Sequence, residues 1–134
     1  MTLKNHKDLD VWKQSIDLVT DIYNLTRQFP KEETFGLISQ MKRAVVSVPT
    51  NIAEGAARAH KNEYIQFLYI SLGSLSELDT LLIISKKLGY IAESEDYSKK
   101  TIAIKQMLNG LIASLKKTEK MKTNSSRLTP YALR

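Results

Sequence analysis

The chain has no cysteine, which excludes a disulfide framework, a thiolate metal site and a cysteine nucleophile, and fits a reducing compartment. Proline and glycine are scarce, three and five in 134 residues, so long helices can run uninterrupted. No stretch alternates apolar and polar residues as a half-buried strand would. The only histidines are His6 and His60, and Leu3 and Ala57 stand three residues before them. The Glu-x-x-His pairs of a di-iron bundle are therefore missing. Gly-x-x-x-x-Gly-Lys and Gly-x-Gly-x-x-Gly phosphate turns are missing as well, and Gly73-Ser74 lacks the flanks of a nucleophile elbow. The longest aliphatic run is Leu81-Leu82-Ile83-Ile84, short of the roughly 18 apolar residues of a membrane span. The N-terminus runs straight into charge, without the apolar segment of a secretion signal. These absences lead us to expect a cytoplasmic chain with no membrane span, metal, cofactor or enzymatic apparatus.

What is present is charge, unevenly placed. The net charge is +6. Residues 1–115 hold fourteen Lys/Arg against thirteen Asp/Glu, while residues 116–134 hold six against one. A nearly neutral body with a basic C-terminal segment reads either as a polyanion-binding arm or as a solubilising terminus.

Hydrophobic periodicity predicts one domain over residues 1–118, an all-α, antiparallel up-down-up-down four-helix bundle, followed by a basic, disordered segment over 119–134. The first helix is expected over about 8–29, with Trp12, Ile16, Val19 and Tyr23 in one apolar lane and Leu18, Ile22, Leu25 and Phe29 in a second; Pro30 stops it. The second, about 33–58, carries Leu37, Met41, Ala44, Val48 and Ile52 toward the core. Pro49 inside it is expected to kink the axis or to end a first segment at Val48, with Ser47 or Asn51 satisfying the freed carbonyl or capping the restart. The third spans about 61–88, with Gly89 as its left-handed cap. The fourth spans about 94–117 from a Ser94 cap, along a seam of Tyr97, Thr101, Ile104, Leu108, Leu111 and Leu115.

The two middle helices carry more apolar surface than one core can cover. At about 100° per residue, Ile65, Tyr69, Leu72 and Ile83 fall opposite Phe67, Ser74, Leu78 and Leu82 on the third helix, and Val46 and Ala53 fall opposite the core lane of the second. A helix apolar on two sides must be covered twice. Val46, Ala53, Ile65, Tyr69, Leu72 and Ile83 are accordingly the expected interface of a homo-oligomer.

One polar stripe stands out on the second helix, where Gln40, Arg43, Ser47, Asn51, Glu54 and Arg58 recur at steps of three or four. Its expected role is structural, with Glu54 pairing Arg58 at i,i+4 and Arg43 reaching Glu54 or Glu77. Candidate phosphate contacts are Lys42, Arg43, Arg58, Lys61, Lys86, Lys87, Lys116, Lys117, Lys120, Lys122 and Arg127. Lys and Arg supply salt-dependent, sequence-independent affinity for RNA or DNA. A partner protein is the alternative ligand.

Four segments carry a resemblance: His6–Lys13 (HKDLDVWK), Phe29–Leu37 (FPKEETFGL), Ser47–Gly55 (SVPTNIAEG), and Phe67-Leu68 together with Gly73–Leu78 (GSLSEL). Over about residues 6–115 the chain resembles the four-helix bundle family of 23S rRNA-intervening-sequence proteins, also called S23 ribosomal protein-like. The resemblance implies a non-enzymatic helical bundle that assembles into a ring, a pentamer, with possible RNA binding. A related branch comprises the basic accessory proteins of diversity-generating retroelements. The family's signature positions fall on Arg43, Ser47, Pro49, Asn51, Glu54, Gly55, Arg58, Gly73, Ser74 and Glu77. Two positions depart from the pattern: Met41-Lys42 stands where the family is often richer in Arg, and Leu72 where an Arg commonly precedes Gly-Ser.

Overall fold

A computed structural model describes residues 5–92 and 95–127 of the chain, by backbone alone from residue 119 on. Its four helices are α1 (Asp10–Thr26), α2 (Leu37–Ala56), α3 (Lys61–Lys87) and α4 (Ser98–Arg127). Each packs on its sequence neighbour, and α1 also touches α4, so the bundle is four-cornered and antiparallel, with α1 diagonal to α3 and α2 diagonal to α4. The α2–α3 contact is the most extensive.

The core forms where the periodicity places it. Leu18, Ile22 and Leu25 of α1, Met41, Val45, Val48 and Ile52 of α2, and Ile104 and Leu108 of α4 are all but fully buried. The other α1 lane is only half covered, and Ile16 and Tyr23 reach the surface. On α3 the buried strip runs through Leu68, Ser71, Leu75, Leu78, Leu82 and Ser85, spaced three and four residues apart in the 3.5-residue rhythm of bundle packing, with Ile65 and Leu81 buried beside it. By length and composition α3 would suffice to cross a membrane, a test that the central helix of a bundle also passes. Its leucines fill the space between the helices here.

Helix ends depart from the sequence expectation for local reasons. The α-helix of α1 ends at Thr26, i→i−3 bonds carry the turn on to Phe29, and the Phe29 ring is buried in the core against Tyr90, with ring centroids 5.5 Å apart. Lys31–Glu33 form a separate 3-10 turn, and α2 starts only at Leu37, whose N–H donates to Glu33 Oε1 at 3.2 Å. The Tyr90 hydroxyl donates to the other oxygen of Glu33 at 3.1 Å. One carboxylate thus caps α2 and ties the α1–α2 connection to the α3–α4 connection. Gly89, at φ +82°, closes α3 as a Schellman motif in which the Tyr90 N–H donates to Ser85 O at 2.9 Å. Ser94 lies outside the described residues. Asp96 Oδ1 accepts from both the N–H and the hydroxyl of Ser98 at the start of α4, and these two donors hold its carboxyl below the usual range. The fourth helix continues to Arg127, so the first part of the segment expected to be disordered is helical.

Pro49 does not divide α2, which runs through it from Leu37 to Ala56 with the proline ring buried. Ser47 and Asn51 play neither of the roles expected of them. The Asn51 amide donates to the carbonyl and hydroxyl of Ser47, both at 2.8 Å, and the Thr50 hydroxyl donates to Val46 O at 2.9 Å. Short polar side chains around the proline thereby engage carbonyls of the turn below it.

Candidate nucleic-acid and assembly surfaces

The signature residues divide into an inner group and an outer group. Inside, the Ser74 hydroxyl of α3 donates to Ser47 Oγ of α2 at 2.8 Å, and Ser47 Oγ also accepts from Asn51. One turn away, Ser71 donates to the carbonyl of Val48 at 2.9 Å, a buried bond across the same helix pair. The sequence alone does not single out Ser71, though its three-residue offset from Ser74 is the available signal. Gly55 is buried close against α3: a Cβ there would stand 2.8 Å from Tyr64 Cδ1 and 2.9 Å from Phe67 Cβ. Ser47, Asn51, Gly55 and Ser74 therefore build a polar, tightly approached α2–α3 seam.

Arg43, Glu54, Arg58, Gly73 and Glu77 point outward. Glu54 and Arg58 form the expected i,i+4 pair at 3.3 Å, an exposed contact that adds roughly 0–1 kcal/mol. The expected reach of Arg43 to Glu54 or Glu77 is not made; among the described residues Arg43 has no ion pair. A Cβ added at Gly73 would meet nothing within 4 Å, so packing within the subunit does not require glycine there.

The candidate phosphate contacts do not form one patch. Arg58 and Lys61 lie at the end where α2 stops and α3 starts, toward which the basic run of α4 from Lys116 and Lys117 also leads. Lys86 and Lys87 lie at the opposite end. Several lie on aromatic rings: the Arg58 guanidinium sits 4.8 Å from the centroid of Phe67, Lys42 Nζ 4.7 Å from that of Tyr23, and Lys116 Nζ 5.2 Å from that of Tyr69. Lys116 also donates to the Tyr69 hydroxyl at 2.7 Å. The side chains of Lys120, Lys122 and Arg127 lie outside the described residues, although their backbone continues α4.

The expected apolar interface is corrected at Ile65, which is 8% exposed and belongs to the core. Val46, Ala53 and Leu72 are half-buried, with Val46 and Leu72 packed against the core. Tyr69 and Ile83 face out, 47% and 52% exposed. The reason is a drift of roughly 20° per heptad between a straight helix and a 3.5-residue bundle strip. Over the interval from Ile65 to Ile83 it accumulates to about 50°. In the bundle Ile65 falls in line with Leu72 and Asp79 on the flank, and Tyr69 with Ser76 and Ile83 outside. Ile70 and Ile84 complete that outer face and are missed by a straight-helix projection for the same reason.

Two further features sit at the connection end. Phe35 is 96% exposed, a lone aromatic in a polar turn between Pro30 and Gly36. On the α3–α4 side a cleft of about 290 Å³ is floored by Leu82, Ile83, Ile91 and Tyr97 and rimmed by Asp79, Glu95, Asp96 and Lys86. Burial raises the Tyr97 hydroxyl above its ordinary value. Among the described residues no group of three or more His, Cys, Asp or Glu is placed to hold a metal ion.

This arrangement can be set against known proteins. The family model of 23S rRNA-intervening sequence proteins matches residues 7–110. The chain belongs to this family. Among solved structures, this 23S rRNA-intervening sequence family member is similar to a protein of unknown function from the S23 ribosomal protein family of Bacteroides thetaiotaomicron VPI-5482. The TM-score is 0.70 at 22% identity, over 77% of this chain and 95% of that one. Likeness at that identity carries the fold. Among curated proteins none matches. Neither match bears on the retroelement accessory branch.

Proposed function

We propose that the chain is the repeating unit of a homo-oligomeric ring, a pentamer by family resemblance, that contacts RNA or DNA through phosphates. Binding and assembly, rather than catalysis, are its work. The observation carrying the nucleic-acid part is the placement of charge: Lys116, Lys117, Lys120, Lys122 and Arg127 all lie on the last turns of one helix, which runs toward the end of the bundle that carries Arg58 and Lys61. Assembly is supported by the outer side of α3, where Tyr69 with Ile70 and Ile83 with Ile84 form two exposed apolar pairs that the subunit leaves uncovered, as apolar residues at an interaction site would be.

For about six phosphate contacts, affinity for a generic RNA should fall ~10³-fold between 50 and 200 mM salt. Replacing Lys117, Lys120, Lys122 and Arg127 by glutamine should flatten that dependence while preserving helicity and mass. A salt-independent wild type, or an unchanged slope in the variant, removes the nucleic-acid reading. Ile70→Glu should lower the mass in solution toward one subunit. The exposed face of α3 would equally suit a partner protein, and co-purification of a defined protein after nuclease treatment, with no RNA affinity, would favour that alternative.

A further inference from the structure

The two apolar features at the connection end are unlike one another. Phe35 projects from the α1–α2 connection; the cleft lies along the α3–α4 edge. In a four-cornered bundle those edges are opposite, and both features sit at the same end, because the Glu33–Tyr90 bond joins their two connections there. A knob on one side and a hole at the same height on the other is the geometry of a head-to-tail contact, which builds a ring where its rotation closes, rather than a two-fold dimer.

Chemistry matches shape. The turn carrying Phe35 is helical in trace: Thr34 has φ −53° and ψ −46°, and its N–H and hydroxyl both donate to Lys31 O. In a 3-10 turn residues three apart align, so Phe35 stands about a third of a turn round from Lys31, on the adjoining face. The cleft offers an apolar floor beneath a rim of three carboxylates and one ammonium, Lys86, which leaves it net acidic, and Ser98 holds the Asp96 carboxyl below its usual range. A phenyl ring with a neighbouring ammonium complements this floor and rim. The volume of about 290 Å³ admits one aromatic side chain.

We propose, resting on the ring assembly above, that Phe35 of one copy seats in the α3–α4 cleft of the next, with Lys31 meeting its acidic rim. Residue 35 makes little contact within its own subunit, so Phe35→Glu should fold with unchanged helicity. It should sediment at the single-subunit mass of 15.2 kDa where wild type is assembled, whereas Phe35→Leu should stay assembled. Because the chain lacks cysteine, the Lys31→Cys/Asp79→Cys double variant, treated with a thiol-specific bifunctional crosslinker, should give a covalent ladder beyond dimer. Each single variant should give none. Phe35→Glu at wild-type mass, or a double variant without multimers, overturns the contact. If Ile70→Glu lowers the mass and Phe35→Glu does not, the ring stands and this contact falls. A wild type found only as single subunits defeats both.

Discussion

Two glycines in the same helix pair should respond in opposite directions to alanine. In a helix interior alanine is favoured over glycine by roughly 0.5–1 kcal/mol. At Gly73 an added Cβ meets nothing within 4 Å, so Gly73→Ala should keep that gain, about 0.5–1 kcal/mol. At Gly55 the Cβ would stand 2.8 Å from Tyr64 Cδ1, 2.9 Å from Phe67 Cβ and 3.1 Å from the Tyr64 carbonyl oxygen. The last two atoms are fixed by the α3 backbone, so no rotamer change clears them and the helices must separate. Such overpacking costs about 1–3 kcal/mol. Gly55 is next to the last residue of α2, where the propensity gain is smallest, leaving a net loss of about 1–2 kcal/mol. In a domain of this size that lowers Tm by roughly 3–10 °C. Thermal and urea unfolding followed by far-UV circular dichroism would measure both variants, at several concentrations because assembly is coupled to stability. A Gly55→Ala protein as stable as wild type would refute the close approach. A Gly73→Ala protein whose loss of stability grows with concentration would show that another subunit rests on that glycine.

Ser47→Ala removes the acceptor shared by Ser74 and Asn51 and should cost about 1 kcal/mol; adding Ser74→Ala should cost little more, and additive losses in urea melts would refute the shared acceptor. Asp21 accepting from Lys100 raises the Lys100 pKa above its ordinary 10.5, and burial together with the Glu33 bond raises Tyr90 above 10.0. Both groups add stability fully present below those values and lost as pH climbs through their higher folded values. Tyr90→Phe should therefore flatten the alkaline limb of a Tm-against-pH profile, and an unchanged limb would exclude Tyr90 from it. Asp96, depressed by Ser98, adds stability present above its ordinary 3.8 and lost as pH falls through its lower folded value. Asp96→Asn should flatten the acid limb.

The parts of the fold legible in the sequence were those with one apolar face or an evenly stepped core lane. The α1 lane from Leu18 to Phe29 and the α4 seam through Ile104 and Leu108 each had a polar back that fixed their orientation, and on α2 the regular steps from Met41 to Ile52 marked the core lane although Val46 and Ala53 lie opposite it. Helix α3 had no such back, and a small angular drift moved Ile65 from the outside to the core. The start of α2 was hidden because its cap comes from Glu33, a side chain outside the helix reaching forward to Leu37. Of the candidate surfaces, charge was legible by counting. Phe35 was not, because only the three-dimensional turn shows that nothing in its own subunit covers it.

The hydroxyls of α3 bear on a question of rotational phase. A cylinder oily on every side gains nearly the same burial at many angles, so leucines alone would leave it free to roll or slide by a turn against α2. Ser71 and Ser74 remove that degeneracy, since a rolled helix would strand hydroxyls away from Val48 and Ser47 at about 1–3 kcal/mol for each one left buried and unmatched. Substituting both by alanine should then leave the bundle compact while blurring its side-chain NMR spectrum, the mark of a helix settled at several angles.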